Sequence, residues 1–311
     1  MSPQEMLQEP QAKESKQSSQ IPPPKEGRLR NLIRRLISSA FLISAVLATL
    51  FLLPIWGYAL VVGSFITIGL YEFFTIVRNR GILVNRMLGV GLGIVFTVLV
   101  AWRSLVQPGL MVAPVAEPGP TLMSWMWDVF WPATIVLISI RQIVRENTFE
   151  ALSGLATTLF GLAYVAALFS YFYYIRAMDG GAELVLYLLL VTKMSDAGAY
   201  FVGNLLGKHP LVPRISPRKT VEGFIGAALF SSLTALLSTS LLGGAYSPLV
   251  SLILGFFLGI CAQLGDLVES LIKRDCQVKD TGVIPGLGGI LDVIDSLLFT
   301  APLFYGFLIY G

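Results

Sequence analysis

The chain has 311 residues, a formal net charge of +3 and 55% hydrophobic residues, with a mean hydropathy of +0.73. That apolar excess exceeds the roughly 45–50% of ordinary soluble domains, and the small net charge gives no reason to expect a nucleic-acid partner. Two cysteines and one histidine exclude a Cys/His zinc site and a disulfide framework, so any metal must be held by carboxylates, which suits Mg²⁺.

In chain order, residues 1–28 are polar and rich in Gln, Ser, Lys and Pro, and are expected to be a disordered tail. Nine apolar runs follow, at 36–53, 56–77, 86–105, 123–140, 151–175, 182–202, 223–243, 248–271 and 289–310. Most reach the ~20 residues that span a bilayer as a helix. The fold expected is an all-α integral membrane protein: a polytopic bundle of about nine transmembrane helices with a cytoplasm-facing polar cavity. Its regions are the tail 1–28, the N-terminal transmembrane helices 29–180 and the C-terminal catalytic transmembrane region 181–311. The first apolar run is long enough to span, so a cleaved signal peptide is not expected. With the N-terminus cytoplasmic, every Lys and Arg except Arg103, Arg176 and the intramembrane Lys193 falls on the cytoplasmic side. The loops 203–222 and 272–288 then share that face.

Charge is concentrated late in the chain. Asp266, Glu269, Lys273, Arg274, Asp275, Lys279, Asp280, Asp292 and Asp295 lie close together in a sequence that is only 13% charged. Charges at membrane depth cost a few kcal/mol each, so such a group points to a functional site. Asp266, Ser270 and Lys273 are spaced i, i+4, i+7 and share a helix face, with Glu269 beside it and Arg274 at the helix end. Asp292 and Asp295, at i, i+3, share another. If these helices pack together, three or four carboxylates converge and need a counter-ion, which a divalent cation supplies. The loop between them carries Lys279 and the glycines 282, 286, 288 and 289 just before a helix N-terminus, an arrangement suited to phosphate.

A second group runs from Ser195 to Gly223. Asp196 sits inside an apolar span, and Ser216, Arg218, Lys219, Thr220 and Glu222 lead into the next. Small hydroxyls and cations beside a helix N-terminus again suit a phosphorylated ligand, although no G-x-x-x-x-G-K-[ST] loop is present. Arg214 and Arg218 taken alone read as topology markers, His209 as an ordinary loop residue, and Glu72 and Asp128 as interfacial. Trp56, Tyr58, Trp102, Trp125, Trp127 and Trp131 read as an interface belt.

The run Ser270, Lys273, Arg274, Lys279, Asp280, followed by Pro285, Gly286, Gly288, Gly289, Asp292 and Asp295, resembles the signature of the phosphatidate cytidylyltransferase, or CDP-diacylglycerol synthase, family. So do Asp266, the run Ile215–Gly223 and the run Asp196–Tyr200. The resemblance covers about 192–296, and Leu287 and Val293 stand where the family usually has His and Arg, positions that bear on nucleotide contacts. It implies transfer of a cytidylyl group from CTP to phosphatidate, with CDP-diacylglycerol and pyrophosphate as products. As catalytic residues it implies Asp266, Lys273, Arg274, Lys279, Asp280, Asp292 and Asp295, with Asp266, Asp292 and Asp295 on Mg²⁺ and a second cation open. Ser216, Lys219, Thr220, Ser270, Gly288, Gly289 and Asp196 are then the substrate-binding set. CTP, phosphatidate and membrane lipids are the expected partners, with a homodimer left open, in a bacterial inner membrane with the site facing the cytoplasm. A polyprenol-kinase-like enzyme using CTP and an ion-coupled transporter are the alternatives.

Overall fold

The computed structural model describes residues 44–106, 122–144, 150–244, 246–278, 281 and 289–311. All elements labelled below belong to one compact unit, Leu47–Gly311; the preceding unit, Met1–Val46, falls almost wholly outside the described residues. Among the described residues, after a helical stretch at 44–51, eight helices follow one another: α1 (Ile55–Asn79), α2 (Arg86–Val106), α3 (Leu122–Ile143), α4 (Ala151–Arg176), α5 (Gly181–Leu206), α6 (Val221–Leu237), α7 (Pro248–Asp275) and α8 (Ile290–Tyr310). Local chemistry sets their starts. Asn85 Oδ1 accepts from Leu88 N at 3.2 Å ahead of α2, and Thr220 Oγ1 accepts from Gly223 N at 3.1 Å ahead of α6. Ser247 accepts from Val250 N at 3.4 Å, with Pro248 at the first helical position of α7.

Helices α1, α2, α4, α5, α7 and α8 are long and apolar enough to cross a membrane, and Val129–Ile143 and Val221–Leu237 are shorter apolar helices. The chain is an all-α, polytopic integral membrane protein. At 1.5 Å per residue, the 28 residues of α7 run about 42 Å, beyond the ~30 Å hydrocarbon thickness. Its charged last turns can therefore reach past the apolar layer.

Of the expected span 36–53, residues 36–43 lie outside the described residues and 44–51 are helical. The span expected at 223–243 is shorter: α6 stops at Leu237 and gives way to a 3₁₀ turn, Thr239–Leu242. Ser238 Oγ and Thr239 Oγ1 donate to the carbonyls of Thr234 and Ala235, and Gly243 then takes φ +67°. The loop 203–222 contains a hairpin, β1 (Pro210–Val212) with β2 (Ser216–Thr220), antiparallel, with Val212 opposite Ser216 and Pro210 opposite Thr220. Tyr58 is also not at an interface: it is buried, and its hydroxyl donates to Phe172 O at 3.1 Å.

Packing is inverted relative to a water-soluble bundle. On α6, Ile225, Leu229, Leu233 and Leu237 are exposed, whereas Ala227, Ala228, Ser231 and Ala235 are buried. In a membrane the outward leucines meet lipid, and small residues let helices approach closely. A Cβ on Gly198 of α5 would stand 2.6 Å from Gly226 O of α6, so only glycine allows that approach. Helix α5 packs on α6, α6 on α7 and α7 on α8, so the C-terminal helices form a continuous stack.

Candidate active site

The site lies where the C-terminal part of α7 meets the start of α8. Gly265 makes the meeting possible: a Cβ there would stand 2.5 Å from Asp295 O and 3.2 Å from Ser296 Cα. With the backbones so close, Asp266 and Glu269 of α7 and Asp295 of α8 place carboxylate oxygens within 4.8 Å of one another. Glu269 is 1% exposed and Asp295 8%. This trio could hold a metal ion, and its oxygen donors suit a hard cation.

Two lysines face the carboxylates. Lys273, one helical turn after Glu269, lies 2.5 Å from Glu269 Oε2 and 3.1 Å from Asp292 Oδ1. Lys219 reaches in from β2 and ion-pairs with Asp266 Oδ2 at 2.8 Å. Four acids, Asp266, Glu269, Asp292 and Asp295, thus meet two lysines, an acidic excess that a divalent cation or bound protons would balance. Among the described residues no hydrogen-bond donor meets the buried Glu269 Oε1, while the Asp292 carboxylate stands within hydrogen-bonding reach of Glu269. A buried carboxylate oxygen in that position is satisfied by a metal or a proton.

Asp292 is also tied into the start of α8. Its Oδ2 accepts from Gly289 N at 2.9 Å and its Oδ1 from Thr281 Oγ1 at 3.0 Å. Ser270 Oγ donates to Asp266 Oδ1 at 3.4 Å, which joins Ser270 to the carboxylate face as its spacing suggests. Asp196 of α5 sits on the flank, where its carboxylate accepts from Lys193 Nζ (3.3 Å), Ser296 Oγ (3.3 Å) and Gln263 Nε2 (3.4 Å). Lys193 Nζ also donates to Val293 O at 3.1 Å, so the Lys193–Asp196 pair stitches α5 to α8.

The hairpin closes one side. Arg274 Nε donates to Ile215 O at 3.2 Å and fastens β2 to the end of α7. Ser216 opens β2, and its hydroxyl enters no hydrogen bond among the described residues. Thr220 spends its hydroxyl on capping α6. Glu222 holds the strand entry: its Oε2 accepts from Lys208 N (3.1 Å) and His209 N (3.3 Å), and its Oε1 lies 2.6 Å from His209 Nδ1. These hydrogen bonds, His209's side chain first, hold the Glu222 carboxyl at about 2, below the usual carboxylate range. Lys279, Asp280 and Gly288 lie outside the described residues, as does Leu287.

Two residues escaped the sequence reading. Glu72 of α1, expected at an interface, is buried and accepts from Leu291 N (2.9 Å), Ile290 N (3.1 Å) and Thr281 Oγ1 (3.4 Å). It caps α8 from a distant helix; a single acid near the end of an apolar run was the one signal available. Tyr164 lies on the π-helical segment Leu162–Ala167 of α4. Its hydroxyl is buried with no hydrogen-bond partner among the described residues, within electrostatic range of Glu269, Asp295 and Asp266. Such π-segments often mark functional positions, but nothing in the local sequence distinguishes this one.

The geometry agrees with what related chains are. Residues 33–310 match the cytidylyltransferase family. A phosphatidate cytidylyltransferase of Staphylococcus haemolyticus is 41% identical over 171 residues, 55% of this chain and 64% of its own length. One of Bacillus subtilis is 40% identical over 173 residues with the same two shares, and one of Synechocystis sp. is 33% identical over 301 residues, 88% of this chain and 95% of its own. The chain thus spans a little under two thirds of the first two relatives and nearly the whole of the third. Because the match runs through all eight helices and is not confined to the charged end, this chain belongs to the cytidylyltransferase family.

Proposed function

We propose that this protein transfers the cytidylyl group of CTP to phosphatidate, giving CDP-diacylglycerol and pyrophosphate. The observation that carries this reading is the convergence of Asp266, Glu269 and Asp295 with Lys219 and Lys273 at the meeting of α7 and α8. Kinship with phosphatidate cytidylyltransferases supports the choice of nucleotide and lipid.

The chemistry asks little of a general base. A phosphate monoester has its second pKa near ~6, so phosphatidate is already largely dianionic at neutral pH. One of its oxygens attacks the α-phosphorus of CTP, the bond to the bridging oxygen breaks, and pyrophosphate leaves with the electron pair. The obstacle is repulsion between two polyanions and the charge that develops on the leaving group, which preorganised cations relieve. Asp266, Glu269 and Asp295, with Asp292 beside them, would hold Mg²⁺, and the sequence leaves room for a second cation. When bound, the metal supplies Lewis-acid stabilisation of phosphate oxygens. Lys273 and Lys219 keep the carboxylates oriented and are placed to turn toward phosphate when CTP enters. Arg274 stands at the same helix end, and Lys279 and Asp280 complete the proposed set. Ser270 orients Asp266, and Asp292 through Gly289 fixes the start of α8.

In this reading region 181–311 carries the chemistry, in a polar cavity open to the cytoplasm. The lipid tails stay in the bilayer, which for a chain with bacterial relatives is the inner membrane. The test is product analysis. Purified protein in detergent with phosphatidate, CTP and Mg²⁺ is expected to form a CDP-lipid and pyrophosphate in equal amounts, identified by mass. Asp295→Asn is expected to lower kcat by roughly 10²–10³-fold with the protein still folded. Phosphorylated lipid with CDP as by-product, or full turnover in the variant, would overturn the assignment.

A further inference from the structure

A cleft outside the carboxylate site carries the opposite charge. Arg78 lies in the last turn of α1, Arg86 opens α2, and Arg141 lies in the last turn of α3. With Gly81, Asn85 and Met87 they line a space of about 410 Å³, large enough for a phosphate-bearing head group. None of these residues belongs to the site between α7 and α8.

The walls are held in place. Gly81 takes φ +101°, which lets the chain turn from α1 toward α2. Gln142 Nε2 donates to Leu83 O at 3.3 Å and ties that turn to the end of α3. The cleft is preformed and does not need an occupant to build it.

Charge is the informative part. Arg78 and Arg141 sit at helix C-termini, where cations oppose the helix dipole, and taken alone they need no further explanation. Arg86 sits at a helix N-terminus, where the same dipole disfavours a cation. Its guanidinium lies 4.3 Å above the Tyr71 ring and donates one hydrogen bond, at 3.2 Å, to Thr75 Oγ1. Its Nε is buried and has no hydrogen-bond partner among the described residues. Among the described residues no carboxylate ion-pairs with Arg78, Arg86 or Arg141. Three guanidinium groups and a helix N-terminus around one cleft form an arrangement that an anion satisfies, and the planar fork of arginine matches phosphate oxygens.

The place in the fold favours a lipid source. All three arginines stand at the ends of apolar helices, and Met87 leaves an apolar side chain exposed at the rim. Arg80, two residues beyond Arg78, ion-pairs with Asp275 at the end of α7, so the cleft opens on the same side as the carboxylate site. We propose that this cleft is a second, non-catalytic anion site that takes a phosphate group, from a phospholipid head group or a free phosphate ester. It stands whether or not the proposed reaction does, because its readout is binding.

The test compares the wild type with an Arg78→Gln/Arg141→Gln protein, both full length. Each is placed in nanodiscs of phosphatidylcholine with or without phosphatidylglycerol, and retained lipid is counted by native mass spectrometry. A parallel arm titrates inorganic phosphate. Loss of roughly tenfold or more in phosphatidylglycerol retention supports a lipid head group as occupant. Loss of inorganic phosphate binding alone supports the site with a soluble source. Equal binding of both probes by variant and wild type overturns the proposal. Should the double Gln protein misfold, Arg78→Lys/Arg141→Lys keeps the charge and loses the fork. It is expected to bind several-fold more weakly than the wild type, and unchanged binding again overturns the site.

Discussion

The α5–α6 and α7–α8 interfaces use the same device for different ends. Each is closed by a glycine whose missing side chain lets one backbone touch the next: Gly198 against Gly226 O, and Gly265 against Asp295 O. Around the first, the neighbours are Val202, Phe230 and small buried residues. Around the second are Asp266, Glu269 and Asp295, like charges that repel at that range. Close approach stabilises the first interface through dispersion and packing. In the second it brings together groups that would separate unless cations joined them. A tight apolar interface is a scaffold, and a tight acidic one is held for its chemistry.

Glycine substitutions break the comparison most directly. In Gly265→Ala the new methyl meets Asp295 O, so α7 and α8 must part by a fraction of an ångström. With the proposed catalytic groups misplaced on that scale, kcat is expected to fall by about 10²-fold while the helices remain folded. In Gly226→Ala the methyl meets Val202 Cβ at 2.5 Å, and the expected loss is about 1–3 kcal/mol of stability with turnover per folded molecule nearly unchanged. Thermal midpoints and kcat measured on both variants decide this; equal kcat losses would erase the distinction between the interfaces.

Glu72 sharpens it, because it reaches the acidic interface from outside. Glu72→Ala removes the acceptor for two α8 backbone N–H groups and is expected to cost about 2 kcal/mol. Turnover should fall as well, since Thr281, which Glu72 shares with Asp292, loses one of its two partners. Glu72→Gln keeps one of the two acceptors and should recover only part of the stability. A Glu72→Ala protein as stable as the wild type would remove the capping role.

The smallest effect concerns the hairpin that brings Lys219 to the acidic interface. The Glu222 carboxyl is lowered from 4.5 to about 2, so its contribution is complete above about pH 4.5 and is lost as pH falls toward 2. Exchange protection of the Lys208 and His209 amides, corrected for intrinsic rates, should stay level from pH 7 to 4.5 and decline below. In Glu222→Gln it should be weaker at neutral pH and lack that decline; an identical profile in the variant would sever the link.

Much of the site was legible because helical periodicity is local. The spacing of Asp266, Ser270 and Lys273 puts them on one face before any tertiary structure is known, and Ser270 does bond Asp266. The same spacing could not rank Glu269, which flanks that face and proves the most buried acid of the group. Nor could it see that Asp292 divides its oxygens among Lys273, Thr281 and Gly289, since those bonds depend on how α8 begins. The hairpin was missed because β1 and β2 are short and embedded in a loop of Gly, Pro and charges, where neither helix nor strand periodicity can develop.

By itself the sequence determined that the chain crosses a membrane and that its carboxylates cluster late. Those properties are sums over neighbouring residues, and a linear string carries them. Tertiary structure decided which carboxylates share a space, that Lys219 crosses from the hairpin to Asp266, and that Glu72 caps a helix 219 residues away. It also decided that Tyr164 brings a buried hydroxyl within electrostatic range of the acids and that Arg78, Arg86 and Arg141 share a cleft. Each of these depends on the close approach of helices distant in sequence, and glycine sets that approach through an atom it lacks.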